Sequence, residues 1–174
     1  VRINAEPRVR LRTARPDDRS FLLELFAGTR GPELAALPDD AIRRAFVESQ
    51  FDLQDSHYRL HYPGATFDVI ECDGEPAGRV YVHRRVDEIR LMEITVAPKW
   101  RRHGIARQLL AALISESDAS GLPIGLHVEP DNPANAWYRR LGFRHELDRG
   151  AYQFLLRPAG TRLDTGKGQE SAIS

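Results

Sequence analysis

The chain has 174 residues, enough for one domain with a real core, and its 41% apolar and 29% charged composition is that of a globular protein. Its 25 basic and 25 acidic residues cancel, so no global charge argues for nucleic acid or an anionic membrane as partner. No apolar run approaches the roughly 18 residues of a membrane span, residues 1–12 alternate without the apolar stretch of a secretory leader, and the lone Cys72 excludes an intramolecular disulfide and fits a reducing, cytoplasmic setting.

Residues 1–7 read as a loose arm. Val9, Leu11 and Thr13 alternate with Arg8, Arg10 and Arg12, which predicts a half-buried strand with its basic side outward. Pro16-Asp17-Asp18 opens a helix whose core face is Phe21, Leu22, Leu25 and Phe26. Residues 28–38, with two glycines and two prolines, read as a loop. Pro38-Asp39-Asp40 opens a second helix, with Ile42, Ala45, Phe46 and Leu53 as its apolar face and Pro63-Gly64 as its stop. Its acids (Asp39, Asp40, Glu48, Asp52 and Asp55) read as a solvated face, though they would also suit a cationic ligand.

A hairpin follows, from Thr66–Cys72 through Asp73-Gly74 to Ala77–Val82. The next strand is Ile89–Val96, and a helix over 104–120 turns Ile105, Leu109, Leu110 and Leu113 inward before Gly121 stops it. After a short strand, Ile124–Val128, Asn132 reads as the N-cap of a helix with Pro133 at its first position and Ala134, Trp137, Tyr138 and Leu141 on one face. A final hairpin joins 143–147 to 151–156 around Asp148-Arg149-Gly150, and residues 158–174 read as a flexible tail. The order β-α-α-β-β-β-α-β-α-β-β predicts an α/β (α+β) fold, a mixed sheet with helices on both faces.

The most informative stretch is Arg101-Arg102-His103-Gly104-Ile105-Ala106, a basic glycine turn between a strand and a helix. Unpaired N–H groups at a helix start, aided by the helix dipole, make an anion cradle suited to pyrophosphate. Gly104 lets a ligand approach the backbone, and Ala106 keeps the first turn thin. The spacing is neither that of a nucleoside-triphosphate loop nor that of a dinucleotide-binding turn. The turn resembles the Q/R-x-x-G-x-G/A signature of the GNAT N-acetyltransferase family, with Arg101, Gly104 and Ala106 at its fixed positions. A second stretch, Asn132 to Phe143, is similar to that family's N-x-x-A-x-x-L-Y-x-x-x-G-F segment. Ala134, Tyr138, Gly142 and Phe143 fall in register, and Trp137 replaces the usual leucine. Asn132 stands one position nearer the tyrosine than usual, which leaves Asn132 and Asn135 as alternatives for its role.

The resemblance covers roughly residues 8–157 and implies a mostly antiparallel GNAT sheet binding acetyl-CoA and a primary amine, with no metal, nucleic acid or membrane partner and with homodimers common among relatives. Acetyl transfer needs a neutral amine, although a free lysine amine has a pKa near about 10.4. It also needs a polarised thioester carbonyl and a protonated leaving thiolate. The resemblance puts Tyr138 beside the thioester sulfur as proton donor and the backbone of Ile94, Thr95 and Val96 at the carbonyl and pantetheine arm. Arg101, Arg102, His103, Gly104, Ile105 and Ala106 would hold the pyrophosphate. Glu93 is the candidate base; strict alternation places it with Leu91 and Thr95, and the competing assignment is a structural pair with Arg79 or Arg90. His127 and Glu129 read as strand-edge polar residues, Arg139 and Arg140 as a solvated face, Cys72 as buried and inert, and His57 and His61 as a pair without further metal ligands. A non-catalytic acyl-CoA sensor and an enzyme acting on protein amines are the rival readings.

Overall fold

The computed structural model describes residues 8–162; the arm over 1–7 and tail residues 163–174 lie outside the described residues. Strands β1 (Val9–Thr13), β2 (Thr66–Cys72), β3 (Glu75–Arg84), β4 (Ile89–Val96), β5 (Ile124–Val128), β6 (Arg144–Arg149) and β7 (Tyr152–Arg157) form one sheet in the order β1-β2-β3-β4-β5-β7-β6. Only β4 and β5 run parallel. Helices α1 (Arg19–Gly28), α2 (Gly31–Ala35), α3 (Asp40–His61), α4 (Ile105–Ser120) and α5 (Asn135–Arg140) complete the chain.

Adjacent residues of a strand face opposite ways, so each strand feeds two cores. Val69 packs with Leu22, Leu25, Phe26, Val47 and Phe51 beneath α1 and α3. Ile70, its neighbour, packs with Val80, Ile124, Ile105, Leu110 and Leu113 beneath α4. Both predicted helix faces are therefore used for α1 and α4. In α3 the stripe differs: Ile42 and Leu53 are exposed, and Val47 and Phe51 are buried instead. The stripe continues at helical spacing through the half-buried Gln54 and Tyr58, which is polar because it faces a cavity rather than the core.

The expected loop over 28–38 contains α2, started by Pro32 near its N-terminus and Glu33 in its first turn. At β1 the expected pattern holds for Val9, which packs on the core, and for the exposed Arg10, but reverses at the next two residues. Leu11 is exposed, whereas Arg12 folds inward and grips Asp18 through two hydrogen bonds of 2.7 Å and Glu71 through one of 2.6 Å. Asp18 also accepts from the Arg15 amide at 2.7 Å, so one carboxylate fixes the entry to α1 against the sheet edge. The last hairpin turns at Gly150 and Ala151, and residues 158–162 are held rather than loose. Arg157, 1% exposed, donates to the Leu141 carbonyl (2.9 Å), Asp118 (2.9 Å) and the Thr161 carbonyl (2.7 Å).

Two irregularities in β4 shape everything near it. Tyr81 opposes Glu93 and Val82 opposes Leu91, so Met92 is an extra residue, a β-bulge. The bulge breaks the predicted alternation. Leu91 joins the α4 core, with Ile94 and Val96 packed against it, while Glu93 and Thr95 turn to the α1–α3 side. In addition, β4 pairs with β5 only over Ile89–Leu91 and Ile124–Leu126, after which the two strands part. Gly78 on β3 permits the close approach of β4: a Cβ there would lie 2.2 Å from the Thr95 carbonyl oxygen.

Arg12 lowers the Asp18 carboxyl from its ordinary 3.8 to about 2. A depressed carboxyl stabilises the fold fully above its ordinary value, and that contribution is lost as pH falls through about 2. Asp18→Asn is expected to lower the melting temperature by several degrees at pH 7 and to converge on the parent protein near pH 2, measured by thermal unfolding across pH.

Candidate active site

The parting of β4 and β5 opens a cavity of about 490 Å³, walled by α1 and α3 on one side and by α5 and Tyr152 of β7 on the other. Glu93, Tyr138 and Asn132 all line it. Glu93 accepts a 2.6 Å hydrogen bond from the Thr95 hydroxyl and lies 3.3 Å from Arg79 Nη2. Glu93 thus faces the cavity and pairs with Arg79 at the same time. Arg90, the other candidate partner, is engaged by Glu88 instead.

Tyr138 is 7% exposed and packs on Trp137 and Phe143. Burial, and secondarily the charge of Glu93, raises its phenol above the usual 10, so it carries its proton at neutral pH. Tyr58 is pushed up to about 12 by burial, then by Glu93. His127 also lines the cavity, stacked on Phe154; burial first, then Arg90 and Arg149, lower its pKa and keep it neutral.

Backbone geometry sorts the three β4 donors. In an antiparallel ladder, alternate residues turn their N–H and C=O groups to one neighbour. The Ala97 amide donates to Ala77 at 2.8 Å, and the Thr95 carbonyl lies against Gly78, so both residues face β3. Thr95 is therefore removed as a backbone donor, while its hydroxyl orients Glu93. Ile94 and Val96 turn their backbone groups to the open side; the Val96 carbonyl accepts from Arg101 Nε at 3.1 Å.

A second cavity, about 310 Å³, sits at the start of α4. Arg101, Arg102, Gly104, Ile105 and Ala106 line it, joined by Arg107, Trp100 and Trp137. Gly104 holds φ +77°, a left-handed conformation natural to glycine, and no protein atom lies within 4 Å of where its Cβ would be. The first helical bond runs from Gln108 to Gly104, so the amides of Ile105, Ala106 and Arg107 have no backbone acceptor in the helix. This arrangement fits a pyrophosphate. His103 does not line this cavity: it lies against Trp100 and the Arg101 carbonyl. The two cavities adjoin, since Ile94 and Tyr138 line the first and their neighbours Val96 and Trp137 the second.

Both asparagines are otherwise engaged. Asn132 caps the Ala134 amide at 2.9 Å, so the turn over 132–134 precedes the helix instead of forming its first residues. Asn135 is buried; it donates to the Glu129 and Pro130 carbonyls at 2.9 Å each and accepts from Gln153 at 3.0 Å. It ties α5 to β5 and β7 and is not presented to the cofactor cradle. The sequence reading missed Arg30, Gln54, Tyr58, Tyr62 and Tyr152, which complete the cavity. The polar breaks in the α3 stripe at Gln54 and Tyr58 were the available signal. Among the described residues no cluster of three or more His, Cys, Asp or Glu could hold a metal ion, and no helix is long and apolar enough to cross a membrane.

The model of the acetyltransferase (GNAT) family matches residues 33–143. A 35-residue stretch is 51% identical to mycothiol acetyltransferase of Thermobifida fusca, a match spanning 20% of this chain and only 11% of that protein. Among solved structures, the fold is similar to the PaiA N-acetyltransferase of Thermoplasma acidophilum in complex with coenzyme A (TM-score 0.63, 15% identity, 87% of this chain and 99% of that one). It is also similar to the ribosomal-protein-S18-alanine N-acetyltransferase of Escherichia coli (TM-score 0.59, 17% identity, 95% and 100%). With the cradle on α4, the parted strands and the family match over most of its length, this chain belongs to the GNAT family of acetyltransferases.

Proposed function

We propose that the protein moves an acetyl group from acetyl-CoA to a primary amine by direct transfer in a ternary complex, in a reducing cytoplasmic setting. The observation that carries this is the meeting of an acid–base pair and an anion cradle along one strand opening: Glu93 and Tyr138 on one cavity, the Gly104 turn on the next. The α4 amides with Arg101 and Arg102 receive the pyrophosphate, and the backbone groups of Ile94 and Val96 face the pantetheine arm and thioester carbonyl.

The chemistry closes on the residues present. Glu93, directly or through a water, takes the proton that leaves the amine; the amine nitrogen bonds to the thioester carbon. The tetrahedral oxyanion is held by β4 backbone N–H, and the C–S bond then breaks. Tyr138 gives its proton to the departing thiolate, and its high affinity for that proton restores it from solvent or from Glu93. The only cysteine, Cys72, is buried, and burial raises its pKa, so it does not serve as an acyl carrier.

Gly104→Glu puts bulk and negative charge into the cradle and is expected to weaken CoA binding by at least about 100-fold in calorimetric titration. Unchanged affinity would place the cofactor elsewhere. Tyr138→Phe should lower kcat roughly tenfold or more while acetyl-CoA affinity stays similar, read by single-turnover kinetics; an unaltered rate makes Tyr138 a packing residue. Glu93→Gln should reduce kcat/KM for the amine by roughly 100-fold at pH 7, with the residual rate climbing as pH frees the amine.

A further inference from the structure

We infer that the acceptor is an α-amino acid or a close analogue, an amine with a free carboxylate beside it. This rests on the acetyl-transfer assignment above and concerns the same cavity. Arg79 lines that cavity while only 1% exposed, and among the described residues its Nε and Nη1 have no hydrogen-bond partner. Its Nη2 has two weak neighbours, Gln54 Oε1 and Glu93 Oε1, each at 3.3 Å. A buried guanidinium so sparsely paired is costly unless a further anion completes it.

A second cation stands beside it. Arg30 also lines the cavity; among the described residues its buried Nε lacks a partner and the acid it pairs with is Glu33 at 3.4 Å. Both guanidiniums lie against one ring: Phe26 is 4.9 Å from the Arg30 carbon and 5.8 Å from that of Arg79. Arginine's planar fork suits a carboxylate. The acids of α3 do not oppose this, because Asp40, Asp52 and Asp55 pair with Arg43, Arg19 and Arg59. None of the α3 acids behind the sequence hint of a cationic acceptor (Asp39, Asp40, Glu48, Asp52 and Asp55) lines the cavity.

The spacing narrows the class. Glu93 and Arg79 present an anion and a cation 3.3 Å apart, the complement of an amine and a carboxylate on one carbon. An amine placed for Glu93 to deprotonate has its carboxylate within reach of Arg79 and Arg30. A cavity of about 490 Å³ suits a small molecule together with the end of a pantetheine arm.

The test is a free-thiol assay with acetyl-CoA and a panel of free α-amino acids, each paired with its carboxamide, plus peptides with free N-termini and amidated C-termini. At least one free amino acid should exceed its amide by tenfold or more in kcat/KM. Arg30→Gln, on the cavity wall and outside the core, should raise KM for that acid and bring the acid-to-amide ratio within threefold. Arg79→Lys should do likewise if it folds, with CoA titration unchanged in both variants. Equal rates for acids and amides, efficient use of amidated peptides, or an unchanged ratio in Arg30→Gln overturns the inference and leaves acetyl transfer standing. No reaction with any amine while CoA still binds overturns it as well. Loss of CoA binding in the parent protein would instead defeat the cofactor assignment on which it rests.

Discussion

One extra residue in β4 governs the site. If Met92 took an ordinary place in the ladder with β3 instead of bulging out, Glu93 would point into the apolar core under α4 with Leu91, where an ionised carboxylate is strongly disfavoured. The bulge turns Glu93 to the α1–α3 side and reverses every following residue. Ile94 and Val96 keep their side chains in the core and their backbone groups toward the gap left by β5. The candidate base and the candidate backbone donors thus emerge from one strand with no loop between them. A short parallel pairing, ending at Leu91 and Leu126, provides the space.

The electrostatics of the cavity follow from that turn. Glu93 meets Arg79, a cation enclosed by Phe26, Phe51 and Tyr81 with its Cζ 5.1–6.0 Å from their ring centres. Aromatic faces soften the burial of a guanidinium but do not replace an anion. Burial first, and the charge of Glu93 second, raise both Tyr58 and Tyr138, so the phenols facing the cavity keep their protons. A protonated phenol beside the leaving sulfur is the state that acid assistance requires.

Much of this was legible in the sequence. The Gly104 turn, the α4 face and the Tyr138 segment announced themselves through local rules: a left-handed glycine, helical spacing and a matching register. What escaped depended on contacts distant in sequence. The bulge at Met92 leaves no local mark, so strict alternation put Leu91 and Glu93 together. Arg12 looks like one of three solvent-facing arginines until Asp18 and Glu71 are brought to it. Asn135 looked as available as Asn132, but Gln153, on β7, donates to its side-chain oxygen. Gln54 and Tyr58 went unread because they are polar positions that extend the buried stripe of Val47 and Phe51 into a cavity rather than the core.

The chain has two tryptophans, Trp100 and Trp137, and both line the cradle at the start of α4. All of the protein's indole emission therefore originates beside the candidate pyrophosphate site, and none from the acceptor cavity. Indole fluorescence is on this account a local optical reporter built into the native chain. It registers what happens in one of the two adjoining cavities and receives from the other only what travels through α5, where Trp137 and Tyr138 are neighbours.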